Sequence, residues 1–186
     1  MEKKKMRAYV RNLEKNLSEE YFLSSSKEIT RLLLACPEFK KAKTIFCFVG
    51  VGREIDTKDI LLNCLSQRKI LAVPRCENSG IMNAFQIQSA DDLEMGKFGL
   101  LEPKSNCPPV LRESIDLCIL PCLSCDRHGN RLGKGGGYYD RYLSGCTAKR
   151  ICICKEKLVQ ELIPVGELDI PMDYLVTERG IISFIK

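Results

Sequence analysis

Thr44-Ile45-Phe46-Cys47-Phe48-Val49, then the turn Gly50-Val51-Gly52, then Ile70-Leu71-Ala72-Val73-Pro74 is the stretch that decides the fold. Its first six residues are apolar and rich in β-branched and aromatic side chains, which reads as a buried strand. After the glycine turn, Asp56 or Thr57 stands where a helix cap is needed, ahead of Ile60, Leu61, Cys64 and Leu65 at helical spacing. Residues 70–73 form a second apolar strand, which Pro74 is expected to end. Strand, helix and strand in this order imply a parallel pair joined by a right-handed crossover.

Upstream, Met6, Val10, Leu13 and Leu17 recur at helical spacing with charges between them, predicting an amphipathic helix over 3–17. Ser18 then caps a second helix carrying Phe22, Ile29, Leu32 and Leu33, which Cys36-Pro37 should stop. Downstream, a turn at Asn78-Ser79-Gly80 leads to a strand over 81–87. Residues 89–109 read as irregular, and 115–120 as a strongly apolar strand ended by Pro121. A helix is expected from Tyr138 and a short one over 157–162. Further strands are expected at 150–154, 175–177 and 181–185. The pattern predicts one domain over 1–186: a three-layer α/β/α arrangement with a mostly parallel, Rossmann-like sheet. Ligands of such sheets bind beyond the carboxyl ends of the strands, which selects the loops at 50–56 and 121–140.

Composition narrows the class without naming it. The 186 residues are 45% hydrophobic and 28% charged, which excludes a disordered tail, and the apolar runs are too short to span a bilayer. The basic start at Lys3-Lys4-Lys5 is followed by no apolar segment of the kind a secretory signal needs. Eleven cysteines sit mostly inside apolar runs, as small buried thiols in a reducing cytoplasm do. A net charge of +5 suits an anionic small molecule, and is too weak to single out a nucleic-acid binder.

Arg131-Leu132-Gly133-Lys134-Gly135-Gly136-Gly137-Tyr138-Tyr139-Asp140-Arg141 carries the chemistry. Glycines let successive backbone amides approach an anion, and the interleaved cations suit phosphate. Asp140 suits a hard cation such as Mg²⁺, and the tyrosines offer a stacking surface. Two better-known phosphate motifs fail: Lys134 is followed by Gly135 rather than Ser or Thr, and Tyr138 stands where the dinucleotide fingerprint needs glycine. The plain alternative is a flexible glycine turn.

That run, following Leu120-Pro121 and a short loop, resembles the signature of 5-formyltetrahydrofolate cyclo-ligases. Lys3 and Arg7 on the first helix, Glu54-Ile55-Asp56-Thr57 after the first strand and Pro74 after the second resemble the same family in order and spacing. The resemblance implies an ATP- and Mg²⁺-dependent cyclisation of 5-formyltetrahydrofolate, with no nucleic acid or membrane partner, by a cytoplasmic monomer. It implies ATP contacts from Lys3, Lys4, Arg7, Arg131, Leu132, Gly133, Lys134, Gly135, Gly136, Gly137, Tyr138 and Tyr139. Folate would meet Val49, Glu54 and the loop from Lys134 to Tyr138. Arg131, Lys134 and Tyr138 would take the catalytic roles, and Asp140 with Asp173 would hold the metal. Cys152-Ile153-Cys154-Lys155 departs from the family, which has an alanine and an aromatic residue there.

Three other readings compete. Cys122-x-x-Cys125 with His128, and a further ligand from Cys152 or Cys154, would suit zinc. A nucleic-acid-binding module would use the basic N-terminus and the glycine loop. A nicotinamide-dependent oxidoreductase, or a nucleotide-binding protein without cyclo-ligase activity, would use the same kind of sheet.

Overall fold

The computed structural model describes residues 2–77, 80–96 and 99–185. The predicted turn at Asn78-Ser79-Gly80 lies outside the described residues except for Gly80, which has φ +78°. Helix α1 (Lys3–Lys15) buries Met6 and Val10. Helix α2 (Glu19–Ala35) begins where Ser18 Oγ accepts from the Tyr21 amide at 3.2 Å, with Glu19 and Glu20 complementing the positive end of the helix. Cys36-Pro37 ends α2 and starts another helix, α3 (Pro37–Lys41), because proline is well tolerated at a first helical position.

Strand β1 (Thr44–Cys47) follows, shorter than expected, then α4 (Lys58–Ser66). Asp56 Oδ1 accepts from the Lys58 amide at the start of α4, while Thr57 Oγ1 turns back to accept from the Gly50 amide and closes the loop. Strand β2 (Ile70–Cys76) does not stop at Pro74. The Ile70 amide faces β1, donating to the Lys43 carbonyl, and alternation puts the Pro74 nitrogen on that same side. The β1 pairing has ended there at Phe46↔Ala72, so the missing donor costs no ladder bond, and β2 continues by antiparallel pairing to β3 (Met82–Ile87). The segment read as irregular holds a small hairpin of β4 (Leu93–Met95) and β5 (Leu101–Pro103).

The later elements are β6 (Leu117–Leu120), the two-residue strands β7 (Ser124–Cys125) and β8 (Arg131–Leu132), α5 (Tyr138–Leu143), β9 (Lys149–Ile153), β10 (Tyr174–Thr177) and β11 (Gly180–Ser183). A turn of 3-10 helix at Glu156–Leu158 replaces the short helix expected over 157–162. The main sheet runs β11-β10-β9-β6-β1-β2-β3, parallel throughout its centre and antiparallel only at the two edges. Alternate residues divide between its faces. Ile45, Leu71, Leu117, Ile119, Ile151 and Ile153 pack under α2, α3 and α4; Phe46, Ala72, Cys118, Leu120 and Cys152 pack under α1 and α5. This is the three-layer α/β/α arrangement. No helix among the described residues is long and apolar enough to cross a membrane.

The topology positions the site. From β1 the chain steps to β2 on one side, and from β6 to β9 and β10 on the other, so strand order reverses between the adjacent β1 and β6. The loops leaving those two strands diverge and leave a crevice at the carboxyl edge. The amino edge is closed. Asp116 Oδ2 accepts from the Lys43 and Thr44 amides, and Asp173 receives the Arg150 amide and both arms of its guanidinium at 2.8 to 2.9 Å. Asp173, expected beside Asp140, is instead paired with Arg150 at the amino edge and is not part of the cavity wall that holds Asp140.

Candidate functional site

A cavity of about 1190 Å³ opens at the reversal point, between the loops that follow β1 and β6. Helix α1 supplies Lys3 and Arg7, four residues apart and so on one face. That face is fixed from behind: Arg53 donates to the Glu14 and Leu17 carbonyls at 3.0 and 2.8 Å, tying the carboxyl end of α1 to the loop after β1. Lys155 braces the joint, donating to the Arg53 carbonyl at 2.7 Å over the Phe22 ring, and burial lowers its pKa. Lys4 is exposed and absent from the cavity wall, which corrects its expected role there: one residue along a helix turns the side chain away.

The glycine loop forms the opposite wall. It is anchored at its base by Asp126, fully buried, whose oxygens accept from the His128, Asn130 and Ile163 amides and from the Asn130 side chain. Arg7 Nε donates to the Gly133 carbonyl at 2.8 Å, so α1 and the loop touch across the cavity. Gly137 has φ +68°, and a Cβ there would stand 2.8 Å from Arg141 Nη1. The positive φ is what favours glycine there, since the tip of Arg141 could move aside. Arg141 donates back to the Gly136 carbonyl at 2.6 Å, which curls the loop into α5.

Arg131 is almost wholly buried. It donates to the Pro121 carbonyl and to Asp140 Oδ1, both at 3.1 Å, and lies over the Tyr139 ring. Burial, then the nearby Glu54 carboxylate, pushes the Tyr139 hydroxyl pKa up, so it stays protonated. Lys134 reaches across to Glu54 Oε1 at 2.5 Å, joining the two loops. Val49 and Tyr138 also line the cavity. All expected site residues except Lys4 and Asp173 thus meet in one place.

Sequence reasoning missed Asp169. It pairs with Lys3 at the mouth, and the next residue, Ile170, donates its amide to Asp140 Oδ1 at 3.5 Å. Burial opposes its charge, but the Lys3 ammonium and the Gly166 amide outweigh burial and hold its pKa below the ordinary value. Its segment between Pro164 and Pro171 has no periodic pattern, so the only signal was its polarity. The β4–β5 hairpin was missed too; it brings Leu101 and Glu102 to the rim, where Glu102 accepts from the Cys76 amide at 2.9 Å.

Among the described residues, five cations and five carboxylates line the cavity. Arg131, Lys134 and Lys3 are each held against an acid. The model of the 5-formyltetrahydrofolate cyclo-ligase family matches residues 1–178. The chain belongs to the 5-formyltetrahydrofolate cyclo-ligase family. It is 28% identical to the 5-formyltetrahydrofolate cyclo-ligase of Mus musculus, over 95% of this chain and 93% of that one. The solution structure of Aquifex aeolicus 5,10-methenyltetrahydrofolate synthetase superposes with a TM-score of 0.89 at 31% identity, covering 100% of this chain and 94% of that one. A Mycoplasma pneumoniae synthetase, 18% identical with a TM-score of 0.78, shares the fold over 96% of this chain and 99% of its own. As a cyclo-ligase family member the chain is an enzyme of the ligase class.

Proposed function

We propose that this enzyme closes 5-formyltetrahydrofolate to 5,10-methenyltetrahydrofolate at the expense of ATP, releasing ADP and phosphate, in the cytoplasm. The observation that carries the reading is the convergence of Lys3, Arg7 and the glycine loop on one cavity that also holds Val49 and Glu54 from the neighbouring loop. The names of the relatives support the substrate, and the free thiols of all eleven cysteines support a reducing compartment.

A formyl oxygen is a poor leaving group. Transfer of the γ-phosphoryl group to that oxygen makes it a phosphate; N10 then attacks the formyl carbon, loses its proton, and the carbon–oxygen bond breaks to release phosphate. Such a transfer needs positioning and charge neutralisation more than a protein nucleophile. Lys3, Arg7 and the amides of Gly133 to Gly137 would hold the ATP phosphates. Arg131 and Lys134 would meet the charge that develops on the moving phosphoryl group, with Tyr138 beside them. Glu54 would accept from the pterin's nitrogen donors beside Val49.

Mg²⁺ fits this cavity. Among the described residues the cavity's cations and carboxylates are equal in number, so the phosphates of ATP would add negative charge to it, and Asp140 Oδ2 accepts no hydrogen bond among the described residues. Asp140, with Asp169 in place of Asp173, would hold the ion, which supplies positive charge to the phosphate oxygens. The test is to mix the protein with 5-formyltetrahydrofolate, ATP and Mg²⁺ and to follow the near-ultraviolet absorbance of methenyltetrahydrofolate. A rise that needs both ATP and Mg²⁺ is expected. ATP binding without a rise would reduce the reading to a nucleotide-binding protein.

A further inference from the structure

Four of the eleven cysteines converge at one point that the cyclisation does not use. Strand β6 pairs with β9 in the register Leu120↔Cys152. Two residues further on, Cys122 therefore comes alongside Cys154, and Cys152 and Cys154 share a face because side chains alternate. The short β7–β8 hairpin folds Cys125 back onto the same spot. The Sγ atoms of Cys122, Cys125 and Cys152 lie within 4.8 Å of one another. Cys154 lies next to this group by the strand register, outside the set of three sulfurs. All four are free, and His128, the chain's one histidine, is exposed and apart.

We propose that Cys122, Cys125, Cys152 and Cys154 form a thiolate site for a thiophilic divalent ion of the zinc class, behind the glycine loop. A tetrahedral ion with bonds of about 2.3 Å needs sulfurs about 3.8 Å apart, so Cys122, Cys125 and Cys152 close on it with a contraction of about an ångström or less, and Cys154, outside that 4.8 Å group, would swing in as the fourth ligand. Binding releases the thiol protons and leaves four sulfur charges against two on the ion, a net negative centre. Two buried cations flank it. Arg131 acts on Cys122 and Cys152, and its Nε has no hydrogen-bond partner among the described residues; Lys155 faces Cys122 and Cys154. An entry path exists, because Cys122 lines the large cavity. Core packing alone asks for small apolar volume, as Cys47 and Cys64 supply elsewhere, and gives no reason for four thiols to meet beside two buried cations. The bound ion would clamp β9 to the base of the glycine loop.

The test uses the full chain, reduced and stripped with a strong chelator, then titrated with Co²⁺ and afterwards with Zn²⁺. One Co²⁺ per chain should bind with intense sulfur-to-cobalt charge-transfer absorption and the visible bands of a tetrahedral site, and Zn²⁺ should displace it. Cys125→Ala and Cys152→Ala should each weaken binding by about 100-fold or more, since each removes a ligand atom, while Cys64→Ala should leave it unchanged. Should either variant fail to fold, the unaltered protein decides: calorimetry in buffers of different ionisation enthalpy should report about three to four protons released per ion. Absence of charge-transfer absorption, its survival in both cluster variants, an equal loss in Cys64→Ala, or binding without proton release would each overturn the proposal.

Discussion

The two edges of the central sheet carry similar side chains to opposite ends. At the amino edge Asp116 and Asp173 are spent on backbone amides and on Arg150, and the charge is consumed inside the protein. At the carboxyl edge Asp140, Asp169 and Glu54 meet Arg131, Lys3 and Lys134 across a cavity. The first arrangement ties strands together. The second sets its pairs in the wall of the cavity. Charge alone does not make a site; the strand reversal between β1 and β6 does, because it parts the two loops and keeps packing from closing over them.

The largest break in this comparison should come from Asp140→Asn. The substitution keeps the shape and a hydrogen-bond acceptor for Arg131 but removes the charge proposed to hold the ion. Turnover should fall about 100-fold or more, the scale on which loss of a preorganised charge partner acts. Near-normal turnover in a folded variant would remove Asp140 from the metal site. Asp169→Asn should come next. The Mg²⁺ concentration needed for half-maximal rate should rise by about 10-fold or more. An unchanged Mg²⁺ requirement would leave Asp169 as nothing beyond a partner for Lys3.

Lys134→Ala sharpens the boundary between the two ligands. The side chain now bridges to Glu54, on the loop proposed to meet folate. A charge-assisted contact to phosphate is worth about 1.5–3 kcal/mol, so KM for ATP should rise about 10-fold or more, with a smaller change for folate. The reverse order, measured by initial rates with each substrate varied, would move Lys134 to the folate side.

How much of this was legible in the sequence depended on the range of the interaction. Local signals read well: Ser18 at a cap, the apolar spacing of α1, and the glycine run before Tyr138. Pro74 misled because its effect on a strand depends on which neighbour its nitrogen faces, and that required the β1–β2 register. The register Leu120↔Cys152 likewise brings Cys122 beside Cys154, though the chain spacing between them is long. Asp169 and Asp173 lie four residues apart in a segment without periodicity, and only the path of the chain at Ile170-Pro171-Met172 separates them.

Asp173→Asn is the closing test of that separation, with the smallest expected effect on catalysis. At the amino edge the carboxylate receives three hydrogen bonds from Arg150, two of them from the guanidinium. An asparagine would keep one acceptor, lose the charge and turn a donor toward the guanidinium. The cost to folding should be about 1–3 kcal/mol, read as a lower midpoint in urea at unchanged slope. Turnover per folded molecule and the Mg²⁺ requirement should not move, because the side chain is not part of the cavity wall. A variant of unaltered stability that needed more Mg²⁺ would return Asp173 to the metal and abolish the distinction between the two edges. A variant that lost stability alone would show that two aspartates four residues apart serve opposite ends of one sheet.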